Sequence, residues 1–316
     1  MKGPGRLTAL VLTIVGVVAV RAQQPPPAFT TRAELVRLEV AVRRGASPLA
    51  GLTVSDFDVR DNGVPQQLLS AEPVRGAHVI AAIDVSGSVD GEVLAQEKEA
   101  VLEVLSRLTP DDRASIVAFA DDVRVLARVS TEAAMLGREV APLRAGGGTA
   151  LHDALVVASS LAREDERPAV VLLFTDGDDS SSWASARRAL EHLRRHDAVV
   201  FPIVPAANRP AGPRRGSDSV LDTLAHPFWI GPGPGDSERL LDQASRLTGG
   251  EVVTARVSTR LLETFAEVLD RYRQRYVVAF EPTGVAHDDG WHRLEVRVRG
   301  QRVTVTARDG YWAGIR

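Results

Sequence analysis

Apolar residues recur along this chain at two different spacings, and the change from one to the other marks its organisation. Val36, Leu38, Val40 and Val42 alternate with Arg37, Glu39, Ala41 and Arg43. A period of two describes a half-buried strand with one face to a core and the other to solvent. Phe57 and Val59 repeat the pattern between Asp56, Asp58 and Arg60, and Asp61-Asn62-Gly63 follows as a tight-turn signal. Residues 30–76 therefore predict an antiparallel β segment, too small to stand without a partner surface.

From residue 77 strands and helices alternate. Val79–Ile83 and Ala169–Phe174 are short and wholly apolar, as strands buried on both faces of a parallel sheet are. Val93, Leu94, Ala100, Val101, Val104, Leu105 and Leu108 recur at helical spacing between Gly91 and Pro110. The same reading predicts strands at Ser115–Phe119, Val123–Val129, Ala198–Val204 and Glu251–Val253. It predicts helices at Ala150–Ala162, Trp183–Arg195 and Asp236–Leu247, a short one opened by Thr131, and one from Ser258 or Thr259 to about Arg273. This order implies an α/β domain over 77–272 with a doubly wound, mostly parallel sheet and helices on both faces. Segment 208–235, rich in Pro and Gly, reads as a surface insertion. The tail, 273–316, returns to strands at Tyr276–Phe280, Leu294–Val298 and Val303–Ala307. Its arginines alternate with apolar positions and read as a solvated sheet face. The tail is expected to pair with 30–76 into one small antiparallel module built from both chain ends.

The N-terminus changes where this protein is expected to work. Lys2 and Arg6 precede the apolar run Leu7–Val20, and Val20-Arg21-Ala22 offers a cleavage site before Gln23. That is the layout of a secretory signal over residues 1–22, with a proline-rich linker at 23–29. The run is short for a bilayer, and an uncleaved anchor is the alternative. The mature protein is expected to be exported, periplasmic or secreted, with no membrane span. A net charge of −3 and a pI near 6.2 give no basic field for nucleic acid. The absence of cysteine removes disulfides, thiolate metal sites and a cysteine nucleophile.

Candidate chemistry gathers where predicted strands end. Asp84, Ser86 and Ser88 follow the first apolar strand, Thr149 follows Gly146-Gly147-Gly148, and Asp176 follows the second apolar strand. In open α/β sheets ligands bind beyond the carboxyl ends of strands. These residues supply two carboxylates, three hydroxyls and no nitrogen or sulfur, a set suited to a hard cation such as Mg²⁺. Alternate side chains of an extended Asp-x-Ser-x-Ser loop point the same way, so its three oxygens converge. A coordination position left to water would accept a carboxylate from outside, which is a binding mechanism rather than a catalytic one.

In order and placement, Asp84-Val-Ser86-Gly-Ser88, Gly147-Gly148-Thr149 and Thr175-Asp176-Gly177 resemble the metal-ion-dependent adhesion site of von Willebrand factor type A domains. The resemblance covers roughly 77–272 and matches at all five ligand positions. It implies a Rossmann-like domain holding Mg²⁺, sometimes Mn²⁺ or Ca²⁺, with the metal completed by an Asp or Glu of a protein partner. The flanks resemble bacterial exported proteins of this type, in Gly51-Leu-Thr-Val-Ser-Asp56-Phe57, Asp61-Asn-Gly-Val-Pro-Gln66 and Arg308-Asp-Gly-Tyr311.

Other readings stay open at this point. The chain has no Gly-x-Ser-x-Gly elbow, no His-Glu-x-x-His and no Gly-x-x-x-x-Gly-Lys, so a non-enzymatic module is expected. A metal-assisted phosphoester hydrolase would need Asp178, Asp179 or His152 as acid or base, although two acids after a turn are usually solvated. A metal-free scaffold of an envelope complex is the third reading. Asp153 is either close behind the ligands or on the surface. His192 and His196, four apart on a helix, read as solvent-facing.

Overall fold

A computed structural model of the chain describes residues 35–205, 236–255, 260–285 and 290–314. The signal segment, the proline-rich linker and insertion 208–235 lie outside them.

The N-terminal flank forms β1 (Val36–Arg44), β2 (Ser47–Pro48), β3 (Phe57–Asp61), β4 (Val64–Pro65) and β5 (Leu68–Pro73). Asn62 and Gly63 both adopt positive φ, 47° and 83°, so the Asn-Gly pair makes the tight turn its residue types suit. The α/β part follows with β6 (His78–Asp84), α1 (Glu92–Ser106), β7 (Arg113–Phe119), β8 (Val123–Ser130), α2 (Ala133–Val140) and α3 (Leu151–Leu161). It continues with β9 (Ala169–Phe174), α4 (Ala186–Arg194), β10 (Ala198–Pro205), α5 (Asp236–Thr248), β11 (Val253–Ala255) and α6 (Arg260–Arg273). The tail supplies β12 (Tyr276–Phe280), β13 (Trp291–Val298), β14 (Thr304–Thr306) and β15 (Gly310–Trp312).

Six strands form the central sheet in the order β11-β10-β9-β6-β7-β8, parallel except for β8, which pairs antiparallel at the edge. Successive side chains of β6 serve opposite faces. Val79, Ala81 and Ile83 pack with α1, α2 and α6, while Ile80 and Ala82 pack with α3, α4 and α5. Both faces are covered, which is why β6 and β9 are buried along their whole length. The strand order reverses beside β6, so the C-terminal ends of β6 and β9 flank the crevice where such sheets bind ligands.

The two flanks build a sandwich in which β1, β3 and β5 each pair with a strand of the tail. Strand β1 pairs with β12 and β14 in one antiparallel sheet, and β3 pairs with β13 in the other. Leu38, Phe57, Val59, Val278, Phe280 and Tyr311 fill the space between the sheets. Fully buried aliphatic side chains such as Leu38 contribute about 2 kcal/mol each. Residues 35–73 are thus not an independent unit, because β1 and β3 lie in different sheets.

Several details correct the sequence reading. The β1 face expected to be solvated buries Glu39 and Ala41. Arg43 beside them shares Glu251 with Arg271 of α6, so this part of β1 faces the α/β part rather than water. Arg275 and Arg308 of the tail are also buried, although Arg293, Arg297 and Arg299 are exposed as expected. Arg308 donates to the carbonyls of Gly310 and Arg194 and pairs with Asp197. Helix α4 begins at Ala186 rather than at Trp183, capped by Ser185, and the last short strand of the α/β part starts at Val253.

Candidate metal centre

Strand β6 ends on Asp84, whose buried carboxylate is engaged at both oxygens. Oδ1 accepts the Ser86 backbone N–H at 2.9 Å and Oδ2 accepts the Thr175 hydroxyl at 3.1 Å. The first bond turns the chain so that Ser86 and Ser88 come together, with Oγ atoms 3.0 Å apart. Ser86 is buried and Ser88 is exposed, so the pair runs from the sheet end towards solvent.

The glycine-rich loop is laced onto this turn by its backbone. Gly87 donates to Gly147 O at 3.0 Å and Gly146 donates to Val85 O at 2.9 Å. Gly147 has φ +81°, and a Cβ there would collide with the Asp121 carboxylate. Asp121 accepts the Gly148 N–H at 2.7 Å and so supports the loop from the β7–β8 turn. Thr149, buried at the entry to α3, donates its N–H to Ser180 Oγ at 2.9 Å, and its carbonyl accepts from Ser180 N and Ser181 N.

Asp176 follows β9 and is half-buried; its Oδ1 accepts the Asp178 N–H at 3.2 Å, and Gly177 turns the chain at φ +97°. Hydrogen bonds therefore tie the Asp84–Ser88 turn to the glycine loop and to Thr175, and tie Thr149 to the loop after Asp176.

Electrostatics concentrate negative charge at this junction. Burial, with Asp176 adding, pushes the Asp84 carboxyl up to about 6 against the hydrogen bonds from Ser86 and Thr175. Asp178 is raised by partial burial and then by Asp176. Glu97 of α1, 2% exposed, is raised well above the glutamate range by burial and then by Asp84 and Asp176. Crowded carboxylates that destabilise one another's charged forms are relieved by a cation. Among the described residues no three His, Cys, Asp or Glu side chains converge closely enough to cage an ion by themselves. A cation here would depend on the serine and threonine hydroxyls as well as on Asp84 and Asp176.

Sequence reasoning passed over Thr175, Asp121 and Glu97 as contributors. Glu97 left a trace: it interrupts the apolar stripe of α1 between Leu94 and Val101. Asp153 and Asp179 are loop clamps. Asp153 accepts the N–H groups of Trp183 and Ala184, and Asp179 accepts the His152 N–H and the Ser182 hydroxyl. Asp179 is thus not the solvated acid expected, whereas Asp178 is exposed. His192 and His196 are not solvent-facing either. Their rings stack 3.9 Å apart, His192 Nε2 lies 2.9 Å from Ser160 Oγ, and burial holds His192 down to about 4.

Part of the chain is similar to known proteins. The profile of the von Willebrand factor type A domain family matches residues 79–178. Human inter-alpha-trypsin inhibitor heavy chain H3 is 29% identical over 144 residues, which is 42% of this chain and only 16% of that relative. An uncharacterized protein of Synechocystis sp. is 32% identical over 101 residues, 31% of this chain and 24% of its own length. Among solved structures, a von Willebrand factor type A protein from Catenulispora acidiphila superposes with a TM-score of 0.49 at 14% identity, covering 90% of this chain and 76% of that one. The chain carries, at residues 79–178, a domain of the von Willebrand factor type A family.

Proposed function

We propose that this chain is an exported protein-binding module. Asp84, Ser86, Ser88, Thr149 and Asp176 hold Mg²⁺ directly or through water, and an Asp or Glu of a partner protein takes the remaining position. The observation that carries the reading is the buried Asp84 carboxylate, raised by burial and by Asp176, set beside the paired Ser86 and Ser88 hydroxyls at the sheet's switch point. Oxygen donors of this kind suit Mg²⁺, with Mn²⁺ or Ca²⁺ as substitutes. When bound, the ion supplies an electrophilic position for a carboxylate. The chain's own part is to pre-set the ligands. Ser86 N–H and the Thr175 hydroxyl fix the Asp84 carboxylate, and the Gly87–Gly147 contact fixes the loops.

Binding is favoured over hydrolysis by what surrounds the metal edge. His152 Nδ1 lies 3.0 Å from Ala184 O and 3.3 Å from Asp179 Oδ2, and Asp179 is already shared with Ser182. Two of the three candidate acids or bases thus hold a loop rather than wait for a proton. The same loop presents Trp183 at 94% exposure, and exposed aromatic residues are frequent anchors of protein interfaces.

Calorimetric titration of the protein and its Asp84→Ala variant with Mg²⁺ and Mn²⁺ tests the reading. Saturable one-site binding that the variant lacks is the expected result. Equal binding by both proteins would place the metal elsewhere and sink the proposed ligand set.

A further inference from the structure

Helix α1 buries one residue foreign to an apolar stripe. Leu94, Ala100, Val101, Val104 and Leu105 face the sheet, and Glu97 stands among them at 2% exposure with no hydrogen-bond partner for Oε2. An acid held that way is destabilising in itself, since burial removes its water and nothing replaces it at that oxygen. Asp84 and Asp176 are the charged groups that act on it, and both push its pKa in the same direction as burial does. Acids from three elements, the end of β6, the loop after β9 and α1, thus address one region. Helix α1 starts a few residues after Ser88 and packs against β6 and the turn at Gly87–Val89, so Glu97 lies on the helix that backs the Asp84–Ser88 turn.

We propose that Glu97 is a positioning residue of the metal centre, whose carboxylate accepts a hydrogen bond from a metal-bound water or serine hydroxyl and adds a third negative charge to those of Asp84 and Asp176. This rests on the metal reading given above. A carboxylate behind the ligands orients what the cation holds and strengthens the field that retains it, and losing such a partner costs about 10–100-fold in metal affinity. The proposal also explains why an acid stands where helix spacing calls for an apolar side chain: its counter-charge arrives with the ion.

The test is Mn²⁺ titration at neutral pH of the full chain and its Glu97→Gln, Glu97→Leu and Asp84→Ala variants, paired with thermal melts in EDTA. Glu97→Gln is expected to weaken Mn²⁺ by about tenfold or more, with an EDTA melting temperature equal to or above that of the parent. Glu97→Leu, which replaces the acid by apolar volume, is expected to lose the same affinity while melting higher. A purely structural role would move the melts and leave the affinity alone. Parent-like Mn²⁺ affinity in either folded Glu97 variant, with binding abolished in Asp84→Ala, overturns this inference and leaves the metal reading standing. No Mn²⁺ binding by the parent overturns both.

Discussion

Trp183 donates its backbone N–H to Asp153 Oδ2 at 2.9 Å, and Ala184 donates to Oδ1 at the same distance. A carboxylate in the first turn of α3 thereby grips the loop that follows Asp176, while the indole stays 94% exposed. The backbone is ordered before any partner arrives, which lowers the entropy cost of a later contact.

Asp153→Ala should therefore cost about 2 kcal/mol, the order of two charge-assisted bonds on a partly buried loop. It should also lower the fluorescence anisotropy contributed by Trp183, read as the difference from a Trp183→Phe background. Trp183→Ala should change stability by less than about 0.5 kcal/mol, since its side chain is solvated. Unchanged anisotropy in Asp153→Ala would mean that the loop is held by other contacts.

Glu39 sets a pH dependence unconnected to the metal. Burial, followed by the charge of Asp197, raises its carboxyl from 4.5 to about 7, against Arg308 and Arg275. The folded protein then holds this proton more tightly than the unfolded chain does. Its contribution is fully present below pH 4.5 and is lost as pH rises through about 7. The whole loss is about 3 kcal/mol. His78 and His192, both held down to about 4 by burial, act in the opposite sense as pH falls below 6.5. Urea melts of the parent and Glu39→Gln across this range isolate the residue. The variant should gain relative stability between pH 5 and pH 7, by about 2 kcal/mol, and a flat difference would refute the assignment.

Arg308 donates to three acceptors: the Gly310 carbonyl within the tail and, across to the α/β part, the Arg194 carbonyl and the Asp197 carboxylate. Asp197 is largely exposed, so the ion pair itself is worth little and the two carbonyls matter more. Arg308→Ala should cost about 2 kcal/mol in chemical denaturation. Arg308→Lys should recover little of it, because an ammonium lacks the planar fork that reaches all three. Full recovery by lysine would show that charge alone is what the site needs.

The elements best read from sequence are those whose cause is local. Val79–Ile83 and Ala169–Phe174 announce buried strands by composition, and Asn62-Gly63 announces its turn by backbone preference. The candidate ligands were chosen on similarly local signals: Asp84, Ser86 and Ser88 close the first apolar strand, Thr149 follows a glycine run and Asp176 follows the second apolar strand, although the structure turns Gly87–Val89 into a 3-10 helix rather than the extended loop expected. The boundary of α4 was misplaced because Trp183 and Ala184 spend their N–H groups on Asp153, thirty residues upstream, rather than on a helical turn.

The chain by itself determined which segments are strands and helices and which oxygen-bearing residues terminate them, because propensity, periodicity and turn chemistry act over a few residues. Tertiary structure alone decided the environment of its charged groups. Glu39, Glu97 and Arg308 sit in segments that read as solvated or as ordinary stripes, yet all three are buried by elements distant in sequence. Burial of a charge is set by what packs over it, and that surface comes from the fold rather than from neighbours along the chain.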